Sequence, residues 1–269
     1  MSRFLLDDST LARISQELPD LQDLERVASS FAPDVISMSF PPESPIPVAA
    51  VCLQDATNTL FEARYALHEL FAHRIWYREK IEPPNELAAM FFIRFYADDV
   101  ASRLYSAGEH LANAIIFMLE IGEQHLKKYK NQRTSQQSAV GNFLKKEKPT
   151  HPITAMVLKL AQSKEWKNTV EYRNKCVHEQ PPTVEGLEII YKYRPYKRQK
   201  RWRSSATGDY TLELGSIDKP EYSSVDDLVR FVAPASFHFT EALTKVTQFY
   251  EQLKMGVFKV IQDRYGQQL

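Results

Sequence analysis

The sequence predicts a mostly α protein, an elongated up-and-down bundle of antiparallel helices with an inserted β-hairpin. Three observations carry this. Residues 48–80 and 86–129 repeat apolar side chains at helical spacing over unusual lengths. Glycine is scarce, at 8 of 269 residues, which disfavours a loop-rich fold. Alternation of polar with β-branched or aromatic residues is confined to 187–193 and 210–214.

The elements follow in order. Residues 9–31 read as one or two short helices, capped by Ser9 or Thr10 and broken at Pro19. Five prolines between 33 and 47 rule out continuous helix there, so residues 1–46 are expected to be short helices and an extended arm. Residues 47–269 are expected to form the bundle. The 48–80 helix carries Val51, Leu53, Ala56, Leu60, Ala63, Leu67, Leu70, Phe71 and Ile75 on one stripe. Pro83-Pro84 end it and Asn85 caps the next. That second helical region, 86–129, has Leu87, Met90, Phe91, Phe95, Leu104, Leu111, Ile115, Met118 and Leu119, with a kink or break allowed at Gly108 or Gly122. A polar loop at 131–138 precedes a short helix, 138–147, and a longer one from Pro152 to about Glu179. The hairpin spans about 187–216, with a long tip. A short helix at 226–232 then leads to a last long helix opened by Pro234, with Phe237, Leu243, Val246, Phe249, Leu253, Val257 and Ile261 as its core stripe.

Composition narrows the function classes. Hydrophobic content of 43% and charged content of 25% are those of a soluble globular chain. Formal net charge is zero, yet residues 127–203 hold 19 Lys and Arg against 6 Asp and Glu, a basic middle third suited to a polyanion. Two distant cysteines, Cys52 and Cys176, form neither a disulfide framework nor a zinc motif. Asp7 and Asp8 interrupt any signal-peptide core, and the run 115–119 is far short of the ~20 apolar residues that span a bilayer. A cytoplasmic protein without membrane attachment is expected.

The chemistry concentrates in Arg173-Asn174-Lys175-Cys176-Val177-His178, followed by Pro181-Pro182. On a helix, residues four apart lie ~40° apart around the axis and residues five apart ~140°. Asn174 and His178 therefore share a face, while Arg173 needs its long arm or local unwinding to join them. An arginine holds a phosphate bidentately, an amide orients it, and an imidazole, ordinarily titrating at about 6.5, moves protons near neutrality. RNA supplies its own nucleophile in the 2′-hydroxyl, so these groups suffice without a metal or cofactor. A purely structural reading pairs Arg173 with Glu171 or Glu165 and lets His178 cap the helix C-terminus.

These residues resemble the HEPN superfamily (higher eukaryotes and prokaryotes nucleotide-binding domain), whose members carry Arg, a polar residue and a following His at a helix end. Arg173, Asn174 and His178 match that pattern. The stretch Tyr105–Ala114 is similar to the family's earlier long helix. Pro181-Pro182 with Gly186 looks like one bacterial branch with an added hairpin. The resemblance covers roughly 50–255. It implies a metal-independent endoribonuclease of the toxin, defence or RNA-processing kind, acting as a homodimer across one RNA cleft, with an antitoxin-like protein as a further partner. It equally allows a non-catalytic scaffold or ligand binder. Within it, His178 is general base and acid, Arg173 clamps the phosphate, and Asn174 orients the substrate or His178.

A second signal lies in the hairpin tip. Residues 191–203 hold seven Lys or Arg, four aromatics and no acid. Lys192, Arg194, Lys197, Arg198, Lys200, Arg201, Trp202 and Arg203 are the candidate RNA contacts. Cations neutralise phosphates and aromatics stack on unpaired bases, a pairing suited to single-stranded RNA. The alternatives are a solvated hairpin or a docking site for an acidic protein.

Other constellations carry less. His68 and His73 are five apart, one residue too far to share a metal on one helix face. Asp98 and Asp99 diverge by ~100°. Glu109 and His110 either support the motif or pack. Cys176 and Val177 are expected to face the core, and Trp76, Tyr77, Phe91, Phe92 and Phe95 to be core or interface aromatics.

Overall fold

A computed structural model describes residues 6–28, 40, 44–79, 86–131, 134–179, 182–187, 201–203, 210–212 and 220–265. The side chains of Tyr77, Glu79, 201–203, 210–212 and 261–265 are not among those described. The described chain is mostly helical. In order come α1 (Asp8–Gln16), α2 (Gln22–Ala28), α3 (Pro45–Glu79), α4 (Glu86–Met118), α5 (Glu123–Leu126), α6 (Gln136–Glu147), α7 (Pro152–Gln162), α8 (Lys164–His178), the strands β1 (Arg201–Arg203) and β2 (Tyr210–Leu212), and α9 (Val225–Tyr265).

The long pair α3 and α4 is the spine. Glu62 pairs with Arg103 and His73 stacks on Phe92, so numbers rise along one helix as they fall along the other. The pair is antiparallel, and 35 residues at ~1.5 Å each make α3 ~50 Å long. Small residues line the seam: Ala49, Ala56 and Ala63 on α3 and Ala97, Ala101 and Ala107 on α4 are fully buried. They let the two backbones approach, and Leu53, Leu60, Leu67, Val100 and Leu104 fill the space between.

α9 runs back along α3. Asp226 holds Arg74 at 2.6 Å and Arg78 at 2.5 Å near one end, and Tyr250 reaches the Ile46 carbonyl at 3.3 Å near the other. It also packs on α8, where Trp166 stacks on Phe239 with centroids 5.4 Å apart and Tyr172 meets Phe231. The N-terminal helices belong to the same core. Ile14, Leu18, Leu21 and Leu24 are buried in it, and Arg64 of α3 donates to the Pro19 carbonyl at 3.0 Å.

Several boundaries differ from expectation. The cap of α1 is Asp7, whose carboxylate accepts from the Thr10 N–H at 2.7 Å. α3 begins at Pro45 because the first-turn N–H groups have no helical partners, so Pro45 and Pro47 cost nothing there. Asn85 lies outside the described residues. The expected 86–129 helix stops at Met118, where Glu120 adopts φ 49° and Gly122 follows. Gly108 neither kinks nor breaks α4.

The expected 152–179 helix is two. Ser163 ends α7 and caps α8, accepting from the Trp166 N–H at 3.0 Å. Pro234 does not open a helix but lies inside α9. It leaves the Arg230 carbonyl without its usual helical donor. The Thr169 hydroxyl stands 3.4 Å from the next carbonyl, that of Phe231.

The core stripes were overdrawn toward aromatics. Val51, Leu87, Phe91, Phe95 and Phe237 are exposed, while Ala89, Ile93, Ala97 and Val100 hold the inner face of α4. The hairpin is not seen in its expected form. Leu187 is outside any strand, and 188–200 lie outside the described residues. Instead β1, placed in the expected tip, pairs antiparallel with β2, Arg201 opposite Leu212, Trp202 opposite Thr211 and Arg203 opposite Tyr210. Among the described residues no helix is long and apolar enough to cross a membrane.

His73 sits in the α3–α4 seam, stacked on Phe92 at 4.7 Å and Tyr96 at 5.6 Å. Burial pushes its imidazole down to about 4. Below about 6.5 the unfolded chain takes up a proton that the folded chain refuses. Stability should therefore fall as pH drops from about 6.5 to about 4, at up to about 1.4 kcal/mol per pH unit from this one group. Urea unfolding at stepped pH should show that slope in wild type and a slope shallower by that amount in His73→Phe. Equal slopes would remove His73 from the account.

Candidate functional site

The motif occupies the last turn and a half of α8, which remains helical through His178. The helix is positioned from its buried side. Tyr172 is 1% exposed and donates its hydroxyl to Asp98 of α4. Asp98 also accepts from Arg94 Nε at 3.0 Å, and the Cys176 sulfur lies 3.8 Å from it. Arg94 is itself 1% exposed, lies 5.4 Å from the Tyr172 ring centre, and donates through Nη1 to the Pro182 carbonyl at 2.8 Å. One carboxylate and one guanidinium thus tie α4, α8 and the chain leaving the motif. Burial, then the Asp98 charge, holds the Tyr172 phenol far above its ordinary range.

On the outward side the three expected residues come together. Arg173 Nη1 is 3.3 Å from His178 Nε2 and 3.2 Å from Asn174 Oδ1. The arginine reaches round by its length, the first of the two expected routes, and α8 stays helical. A guanidinium has no acceptor, so in this contact His178 Nε2 is the acceptor and the ring proton sits on Nδ1. Asn174 is bonded to Arg173, and no bond joins it to His178 among the described residues.

The guanidinium lies face-on to Tyr105 of α4, 4.0 Å from the ring centre. This cation–π seat fixes the plane of the fork. Arg173 Nε is buried without a hydrogen-bond partner, and no carboxylate pairs with the arginine among the described residues. The two expected acidic partners are used elsewhere. Glu171 takes Lys175 at 3.4 Å and Glu165 faces His238 at 3.7 Å. Among the described residues Arg173 is a cation with no paired carboxylate near the end of α8.

The discounted groups also find places. Glu109 accepts from the Gln136 and Gln137 N–H groups at 3.0 and 3.2 Å, so it closes the N-terminus of α6 from across the bundle. Burial, then the Asp98 charge, pushes the Cys176 thiol up to about 11, which leaves it protonated and unsuited to attack near neutrality. Val177 is exposed at 52%, contrary to its expected inward position. No group of three or more His, Cys, Asp or Glu is placed to hold a metal among the described residues.

Lys192, Arg194, Lys197, Arg198 and Lys200 lie outside the described residues, and for Arg201, Trp202 and Arg203 only the backbone of β1 is described. What the structure does describe is the neck of the insert. Val184 and Tyr222 form a parallel bridge, with Glu185 N–H to the Tyr222 carbonyl at 2.9 Å and Tyr222 N–H to the Thr183 carbonyl at 3.1 Å. Lys175 of α8 reaches Glu221 at 2.9 Å. The insert therefore leaves and re-enters the bundle beside the motif.

Tyr105, Arg94, Asp98 and Tyr172 were missed as supports. Arg94 and Asp98 stand four apart on an otherwise apolar helix face, which marks a buried pair. Nothing in the sequence pairs Tyr105 with Arg173. No family model matches the chain, and neither a curated protein nor a solved structure matches it.

Breaking the support should show in stability. Arg94→Met removes the charge partner of the one-third-exposed Asp98 and frees Pro182, an expected loss of about 1–3 kcal/mol in denaturant unfolding. Tyr172→Phe removes one hydrogen bond to that charge and should cost about 1.5–3 kcal/mol. A loss below about 1 kcal/mol in both would deny the network its structural role.

Proposed function

We propose that this chain is a metal-independent endoribonuclease of the HEPN type. The observation that carries the reading is the Arg173 guanidinium, seated on Tyr105, without a paired carboxylate among the described residues, and touching both Asn174 and His178. A phosphodiester entering this corner draws the fork away from the imidazole, because a bidentate phosphate contact is stronger than one long bond to a neutral ring nitrogen. That transfer frees the Nε2 lone pair beside the phosphate. His178 then takes the proton of the 2′-hydroxyl, whose oxygen bonds to phosphorus as the P–O5′ bond breaks. As imidazolium it returns the proton to the departing 5′ oxygen. Arg173 offsets the charge that builds on the phosphoryl oxygens. The products are a 2′,3′-cyclic phosphate and a 5′-hydroxyl.

The basic segment 191–203 supplies strand affinity in this reading, and the neck supports it by fixing both ends of the insert next to α8. The hairpin that would present this segment, a homodimer, an antitoxin-like partner and a cytoplasmic setting belong to the same proposal.

Labelled single-stranded RNA incubated with purified protein in EDTA should be cut to cyclic-phosphate ends. Arg173→Ala and His178→Ala should each lower the rate by about 10²–10⁴-fold. Arg173→Lys should recover little, since an ammonium lacks the planar fork. RNA that binds but stays intact with wild-type protein would leave the scaffold reading, and equal cutting by all variants would assign the activity to a contaminant.

A further inference from the structure

A cleft of ≈ 420 Å³ opens along α8 on the flank that carries Asn174, between the start of α6 and the end of α7. We propose that it is a subsite for one unpaired nucleobase of the RNA, adjoining the phosphate held by Arg173. The proposal rests on the ribonuclease reading.

Four observations carry it. First, the volume falls within the about 300–1,000 Å³ of ordinary small-molecule sites. Second, the lining is neutral and amphipathic. Trp166 and Val170 give apolar surface, Gln137 and Asn174 give amides, and Ser138 gives a hydroxyl. The charged lining residues cancel, Lys167 and Lys175 against Glu171 and Glu179, and Lys175 is already tied to Glu171 and Glu221. Such a surface repels a second phosphate as much as it attracts one, and suits an uncharged planar ring with donors and acceptors on its edge.

Third, the Gln137 amide nitrogen is buried without a hydrogen-bond partner. An unmet buried donor costs about 1–3 kcal/mol. Rotation about the soft terminal torsion of the side chain turns it toward the cleft, where a ligand acceptor meets it. The pocket is built to keep this amide close. A Cβ on Gly108 of α4 would stand 2.8 Å from Gln137 Oε1 and 3.2 Å from the Trp166 ring, so a side chain there would push the flexible amide aside. Fourth, Asn174 belongs to both places, bonded to Arg173 at 3.2 Å and lining the cleft. A base seated here puts its own backbone at the guanidinium.

The test uses the full chain and two readouts. Binding is measured by saturation-transfer NMR with four 2′-deoxy dinucleotides, uncleavable for want of a 2′-hydroxyl and differing in one base. Cleavage is measured in EDTA on four RNAs differing at the same base. One base or base class should be preferred in both. Gln137→Leu should reduce that preference about tenfold. Val170→Phe should fill the cleft and abolish dinucleotide binding, and Ser138→Trp does the same from the exposed rim if the first variant fails to fold.

Uniform binding and cutting across the bases, or a preference untouched by these variants, overturns the subsite. If His178-dependent cleavage persists in that case, the ribonuclease reading stands alone. If wild type cuts no RNA but binds dinucleotides with a preference that the variants erase, the subsite stands and the ribonuclease reading falls. Neither binding nor cutting removes both.

Discussion

A guanidinium sealed between two helices must find acceptors or the fold loses several kcal/mol. Arg94 meets that demand with the Asp98 carboxylate and the Pro182 carbonyl. Each acceptor belongs to a different part of the chain, so satisfying one side chain fixes three things at once. Asp98 is held on α4, Tyr172 of α8 is drawn to it, and the segment after the motif is fastened under the bundle. The alanine-lined seam of α3 and α4 makes the spine, but the spine alone would not set the rotation of α8 about its axis. The Tyr172 hydroxyl does, because it must point at Asp98. With Tyr172 turned inward, Arg173 emerges beside α4 and over Tyr105.

The outward group and the inward network are thus one construction seen from two sides. Tyr172 and Arg173 are adjacent in sequence and point to the two ends of it. The inner arginine is neutralised and immobile, whereas the outer one has an aromatic seat and no carboxylate among the described residues. The cation–π contact holds Arg173 against Tyr105, while the Arg94–Asp98–Tyr172 network orients α8.

The long helices and the motif were legible in the sequence because both rest on local spacing. Apolar residues at helical intervals marked α3, α4 and α9, and Arg173, Asn174 and His178 were found by their separation along one helix. What was illegible depends on partners distant in the chain. Arginine reads as a surface residue, so the burial of Arg94 follows only from the Pro182 carbonyl 88 residues later. Pro234 reads as a helix start, and it lies inside α9 with Thr169 of a different helix beside the disturbed turn. Phe91 and Phe95 read as core or interface from their helical spacing, yet they lie exposed, and Ala97 and Ala101 are the buried residues of that helix. Ser163 was the exception. Its capping role was written locally, and the apolar rhythm running through it masked the break.

The neck brings the two ends of the insert together beside α8. A long insert adds little closure entropy if its two ends are already adjacent. Val184 and Leu187 are fully buried and Tyr222 stacks among Tyr172 and Phe231, so both ends are anchored in the same aromatic cluster that anchors α8. Gly186 makes the exit turn with φ 85°, and a Cβ there would run into Met90 at 2.5 Å. The left-handed turn disfavours any side chain, and one placed there would also have to displace the Met90 methyl. The cleft along α8, neutral and amide-lined, lies on the other side of Asn174. Asn174 joins the two places, bonded to the Arg173 guanidinium and lining the cleft.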